Sequence, residues 1–258
     1  MQQTTYQFGI HTPVTYQAAQ KIVPIITDWI GIPESVIDLG GGGGGWLKAF
    51  KEAGAKKVCC IAHPSIQPED LLISVSEFMK FDLSKEIPDP IPCDLAISTE
   101  FAEHVPTSKS DAVVDFLTKS SRTILFSAAI PKQGGYGHIN EQRPAFWQKL
   151  YEERGYKRID IIRPQIIFDQ TIPSWFRQNL YLYIDQTLVE QTKLASVPHA
   201  FIPDDFELVY TGTLNQPLLE LREIFKGFVP AVLKAIDQQF QVFNSKRLKL
   251  LKKLRMAQ

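Results

Sequence analysis

SVIDLGGGGGGWLKAF, residues 35–50, is the stretch on which the fold turns. Ser35 to Leu39 is a short, β-branched run that stops at a glycine, the pattern of a buried strand. Gly40 to Gly45 is an unbroken run of six glycines. From Trp46 the spacing becomes helical, with Gly54 placed as the C-cap. Strand, glycine turn and helix in that order make a ligand-binding device. Glycine lets the backbone bend sharply and approach a ligand, and the helix N-terminus offers N–H groups and partial positive charge. In an open α/β sheet such a turn lies at the carboxyl end of its strand, where ligands bind. A merely tight turn is the plainer alternative, but the strand before and the helix after weigh against it. Each glycine also adds conformational freedom to the unfolded chain, so the run is expected to be floppy without a ligand.

Six glycines leave the motif in two registers. Gly40, Gly42 and Gly45 satisfy the GxGxxG of dinucleotide-binding turns, whereas Gly40, Gly42 and Gly44 satisfy GxGxG. The glycines alone leave both open.

Outward from this point the chain alternates. Residues 13–30 have helical spacing, with Pro24 expected to kink or break the helix. Strands are expected at 56–62, within 71–83 and at 93–99, then a helix at 108–120 and a strand at 123–129. A helix at 145–154 ends at Gly155, and strands follow at 156–162 and 179–185. This β-α-β-α order predicts an α/β three-layer domain with a mostly parallel sheet. The expected division is an N-terminal helical segment at 1–32, the α/β domain at 33–186, and a mainly helical C-terminal extension at 187–258.

Composition narrows the function classes. The 258 residues carry 28 Lys+Arg and 28 Asp+Glu, a formal net charge of zero, which argues against a nucleic-acid partner. The three cysteines, Cys59, Cys60 and Cys93, have no metal-binding spacing and suit a reduced, cytoplasmic protein. No secretory signal and no membrane-spanning run is visible. No GxSxG elbow follows a strand, and Trp46 stands where a P-loop needs Lys, so hydrolase and P-loop readings fail. No clustered metal-ligand set is apparent, and no metal is expected.

Three stretches together resemble a known family. Val36–Gly44 reads VxDxGxGxG, Ser98–Pro106 reads SxExAEHxP, and Phe126–Trp147 reads FSAAxPxQGGxGHxNEQxPxxW. The chain resembles class I S-adenosylmethionine (SAM)-dependent methyltransferases, and among them bacterial small-molecule enzymes, over about residues 33–185. The resemblance implies a Rossmann-like three-layer sandwich whose seven-stranded, mostly parallel sheet has an antiparallel last strand. It implies SAM as cofactor, with Asp38, Gly40, Gly42, Gly44 and Glu100 around its methionine part and Asp82 at the adenine edge. One position departs from the pattern. Where the family has an acid bonding the ribose hydroxyls, this chain has Ala62 followed by His63. Either His63 or an acid of the next loop, Glu69 or Asp70, takes that place, or binding is weak, or the domain has lost turnover.

Methyl transfer needs a nucleophile held in line with the methyl group, and a hydroxyl nucleophile gains from a base. His104 follows the fourth strand and His138 follows the fifth, so both are candidate catalytic groups, with structural hydrogen bonding the alternative for each. Tyr136, Asn140, Glu141 and Trp175 are candidate substrate contacts. Asn140 and Glu141 could instead cap the helix near Pro144, and Trp175 and Arg177 are expected in a loop. The leading reading is methyl transfer to a small-molecule acceptor, at oxygen. The alternatives are a methyltransferase-like binding protein without turnover and a nicotinamide-dependent oxidoreductase. Residues 244–258 carry six basic residues beside a leucine stripe. They predict an amphipathic helix that could touch an anionic surface peripherally, without stable membrane insertion.

Overall fold

The computed structural model describes residues 11–191 and Leu194. Its apolar runs form seven strands: β1 (Ser35–Leu39), β2 (Lys57–Ala62), β3 (Phe78–Lys80), β4 (Leu95–Thr99), β5 (Thr123–Ser127), β6 (Tyr156–Ile159) and β7 (Tyr181–Asp185). They make one sheet in the order β3-β2-β1-β4-β5-β7-β6. β1 to β5 pair in parallel, and β7 lies antiparallel between β5 and β6. The seven-stranded, mostly parallel sheet with an antiparallel last strand is therefore what forms.

Alternation along the central strands divides the core into two layers. Val36, Leu95, Ile97 and Leu125 face one side, packed with α1 (Thr12–Ile30) and α2 (Gly45–Ala53). Ile37, Ala96, Ile124 and Phe126 face the other, packed with α3 (Ser110–Ser120) and α4 (Pro144–Glu152). Both faces being covered explains why these strands read as continuous hydrophobic runs.

Three local expectations need correction. Pro24 does not break the first helix, which runs from Thr12 to Ile30. It stands on the exposed face, where the carbonyl left unpaired one turn earlier, at Gln20, can meet water. The strand sought within 71–83 is only Phe78–Lys80, preceded by a 3-10 turn at Val75–Glu77. Ser74 and Glu77 fix the start of that turn with a capping box, and the short edge strand begins directly after it at Phe78. Trp175 and Arg177 are not in a loop. They belong to α6 (Ser174–Asn179), which follows α5 (Arg163–Ile166) in the connection from β6 to β7. α7 (Gln186–Glu190) follows β7, its Asp185 N-cap accepting from the amides of Thr187 and Leu188. The expected basic helix at 244–258, and nearly all of the 187–258 extension, lie outside the described residues. Among the described residues no helix is long and apolar enough to cross a membrane.

Candidate active site

The sheet order reverses between β1 and β4. β2 and β3 build outward on one side and β4 and β5 on the other. The loops leaving β1 and β4 therefore part at a topological switch point, which opens a crevice at the carboxyl edge.

At the exit of β1 the backbone resolves the glycine register. Gly40, Gly42 and Gly44 have φ of 84°, 55° and 82°, values that L side chains rarely adopt. Gly45 is already the first helical residue of α2. The alternate register, 40, 42 and 44, is the one the geometry requires. The run is also packed, contrary to the expectation of a floppy loop. A Cβ on Gly41 would lie 2.5 Å from Asp38 Cγ, and one on Gly40 would lie 2.3 Å from the Phe101 ring. The Gly43 amide donates to Thr12 Oγ1 at 3.0 Å, and its carbonyl accepts from the Leu72 amide at 2.9 Å. Protein atoms on several sides pack against the run.

Asp38 is 1 % exposed, and neither carboxylate oxygen has a hydrogen-bond partner. Burial pushes its carboxyl up to about 8. At the exit of β4, Glu100 takes a left-handed backbone, φ 49°, with its amide donating to the Ser127 carbonyl. Its carboxylate accepts from Gln133 Nε2 at 2.9 Å and lies 3.5 Å from Asn179 Nδ2. Burial raises its pKa, and the donors from Ser127, Gln133 and Asn179 oppose the rise. Glu103 is fully buried and both its oxygens also lack a hydrogen-bond partner. Burial, then the neighbouring Glu100 charge, lifts it well above the carboxylate range.

The segment after β5 closes over these acids. The Glu103 carbonyl accepts from the amides of Ile139 and Asn140, so the segment is stitched to the β4 exit. His104 and His138 meet edge to face, ring centroids 4.9 Å apart. His104 Nδ1 lies 3.3 Å from the Gly137 carbonyl and His138 Nδ1 lies 3.0 Å from Glu141 Oε1. Burial, then the nearby His138, lowers His104 to about 4, so it is uncharged at neutral pH. Glu141 also accepts from the amides of Lys132 and Gly134. Burial would raise its pKa, but the donors from His138 and these amides prevail and hold it low. Glu141 thus ties the His138 ring to the backbone of its loop.

Asn140 needs a stronger correction. It is 2 % exposed. Its amide donates to the Ala102 carbonyl and Ser110 Oγ, and its oxygen accepts from Thr107 and Gln142. With donors and acceptor engaged it clamps the β4 exit to α3 and has nothing left for a substrate. Nor do Asn140 and Glu141 cap α4, whose N-cap is Arg143 without a side-chain cap. Tyr136 and Ile139, by contrast, are exposed apolar side chains on this segment. Trp175 packs edge-to-face on His11 and Phe176.

The exits of β2 and β3 hold the remaining candidates. Ala62 ends β2 and is buried. His63 turns Nδ1 to Ser65. Asp82 follows β3 and folds back on the hydroxyl and amide of Ser84 and on Lys85, contacts that hold its carboxyl down at about 2. Asp82 is therefore a turn aspartate in this state, the alternative weighed for it from sequence. Glu69 and Asp70 lie on a 3-10 turn whose Asp70 carbonyl would be 2.4 Å from a Cβ on Gly43.

The sequence shows no clustered set of potential metal ligands, yet the fold brings three such side chains together. Glu103, His104 and His138 each present a ligand atom, all within 4.8 Å of one another. Glu103 is not among the candidate residues that the sequence singles out. The signal was its place in the TEFAEH stretch, but nothing in the spacing shows that His138, thirty-four positions beyond His104, comes to the same point.

No family model and no curated protein sequence matches the chain. Solved structures do. A chain from the complex between the Haloferax volcanii Trm112 methyltransferase activator and a protein described as a methyltransferase is similar at TM-score 0.50. It shares 12% identity, and the match covers 69% of this chain and 93% of that one. The fold is that of the Rossmann-like methyltransferases. Magnesium protoporphyrin IX methyltransferase from Synechocystis PCC 6803 with bound SAH is also similar. It has TM-score 0.49 and 16% identity, with 67% of this chain and 84% of that one covered. At these identities the likeness speaks for the methyltransferase fold alone, and the chemistry rests on the residues described above.

Proposed function

We propose that this chain is a SAM-dependent methyltransferase that transfers a methyl group to an oxygen of a small-molecule acceptor. The observation that carries the reading is the pairing of the glycine run, left-handed at 40, 42 and 44, with the buried, unpartnered Asp38 carboxylate. A buried acid without a partner is costly, and a ligand with an ammonium or sulfonium cation would relieve that cost. Glu100, half-buried at the exit of the neighbouring strand, fits the same cation. When bound, SAM supplies an electrophilic methyl group.

The chain's own residues divide the remaining work. Gly40, Gly42 and Gly44 hold the methionine part at the β1 exit. His63, with Glu69 or Asp70, takes the place of the ribose acid that Ala62 lacks. Asp82 reaches the adenine edge only by exchanging its contacts with Ser84 and Lys85. His104 and His138 activate the acceptor, with Glu141 fixing the His138 ring. Tyr136 offers an aromatic face at the acceptor side.

Calorimetric titration with SAM, S-adenosylhomocysteine and NAD(H) tests this reading. Micromolar binding of the adenosyl compounds alone, lost in Asp38→Ala, is the expected outcome. Absence of adenosyl binding would overturn it and make Ala62 the mark of a scaffold turned to another use. Binding of NAD(H) instead would favour an oxidoreductase.

A further inference from the structure

We propose that Glu103, His104 and His138 form a binding site for a divalent first-row transition ion of the Mn2+, Fe2+, Co2+ or Zn2+ class. Three observations meet at this point. The first is geometric. One ligand atom from each residue lies within 4.8 Å of the others, and His138 Nε2 is 3.9 Å from Glu103 Oε1. That separation is too long for a hydrogen bond. Two ligands each about 2.0–2.2 Å from one shared ion stand roughly 3.3–3.6 Å apart in tetrahedral geometry, so a slight closing of the side chains brings them to coordination distance.

The second observation is the state of Glu103. Its side chain is fully buried, it points at the two imidazoles, and neither oxygen has a hydrogen-bond partner. Such a group is costly unless something positive reaches it. A divalent ion would satisfy it and oblige it to ionise.

The third is the support behind the imidazoles. Glu141 holds His138 at Nδ1 and the Gly137 carbonyl holds His104 at Nδ1. Each contact places the proton on Nδ1 and leaves Nε2 as the basic nitrogen. This carboxylate–histidine arrangement recurs behind metal ligands, where it fixes ring orientation and tautomer. A Cβ at position 135 would lie 2.3 Å from His138 Nε2 and block that nitrogen, so glycine there keeps the ligating side of the ring clear. Two imidazoles and one carboxylate suit borderline ions rather than Mg2+ or Ca2+, which take oxygen ligands. Three protein ligands also leave coordination positions open.

The inference deepens the proposed function. An acceptor hydroxyl meeting such an ion becomes more acidic, so the two histidines would serve the acceptor through the ion. The ion site itself does not depend on SAM. The full chain is stripped with chelator, dialysed, and titrated with Co2+ without SAM, following heat and the visible spectrum. The expected result is one ion per chain with ligand-field bands. Glu103→Gln and His138→Ala should each weaken binding by at least tenfold, while SAM affinity, titrated separately, stays as in the wild type. No saturable binding of any of the four ions, or wild-type binding in a His104→Ala/His138→Ala double variant, would overturn the site. A wild-type measurement covers the case in which variants do not fold. Mn2+ should broaden the imidazole NMR signals of His104 and His138 first among the five histidines, and uniform or absent broadening would count against the proposal. If SAM fails to bind while Co2+ binds, the methyltransferase reading falls and the ion site stands.

Discussion

Asp38 concentrates the physics of the site in one side chain. Its native carboxyl titrates at about 8, and an unfolded aspartate at roughly 3.9. The native state therefore binds more protons between these values. The stability tied to this group is fully present below the unfolded value and is lost as pH rises through the native one. Asp38→Asn should remove that slope. Urea unfolding of both proteins from pH 5 to 8.5 should show the variant gaining on the wild type with every step in pH, by up to about 1.4 kcal/mol per unit. Parallel curves would mean that Asp38 is solvated or paired. At this scale the sequence was partly legible. Asp38, Glu100, His104 and His138 could be picked from motif position alone. The glycine register could not, because six identical residues carry no phase and only the backbone angles supply one. Asn140 was misread because a polar residue beside two motif histidines looks the same in sequence whether it faces substrate or clamps a loop.

Among the elements, the connection from β6 to β7 depends on one buried ion pair. Arg163 Nε and Nη2, one edge of the guanidinium, donate to the two carboxylate oxygens of Asp160, and Nη1 donates to the Gln178 carbonyl at 3.0 Å. The guanidinium also lies 4.1 Å from the Tyr181 ring centroid. The pair thus joins the β6 exit, α5, α6 and β7. Asp160→Asn strands a buried cation and should cost about 3–5 kcal/mol, read as a drop in urea midpoint. A loss under 1 kcal/mol would show that water reaches Arg163. None of this was visible beforehand. α5 and α6 have four and six residues, too short to register as periodic pattern, and such helices exist through tertiary packing rather than propensity. The longer elements were legible because each satisfies a pattern that its packing also requires. Gly54 stops α2 where its positive φ is needed, whereas α4 already ends at Glu152 and Gly155 takes its positive φ in the turn before β6.

At the scale of the whole molecule, the site and the sheet order are one fact. The order β3-β2-β1-β4-β5-β7-β6 brings the exits of β1, β4 and β5 to one edge, and with them the buried acids Asp38 and Glu103 and the half-buried Glu100. An adenosyl ligand whose cation meets Asp38 and Glu100 should stabilise the fold as well as fill the site. S-adenosylhomocysteine at one hundred times its dissociation constant should add about 2.7 kcal/mol to unfolding. An unchanged melting temperature at that concentration would contradict binding to the native state. Alternation and loop order made the sheet legible, but alternation says nothing about which loops converge. The hydrogen bond from Gly43 to Thr12 spans thirty-one positions, and it has a consequence for how the molecule is made. A chain leaving the ribosome releases α1 before the glycines, so the most entropically demanding turn finds its anchor by closing a short loop. β7 can enter between β5 and β6 only after residue 185 has emerged. Vectorial synthesis would therefore complete the half around the glycine run while the half around α5 and α6 is still being threaded.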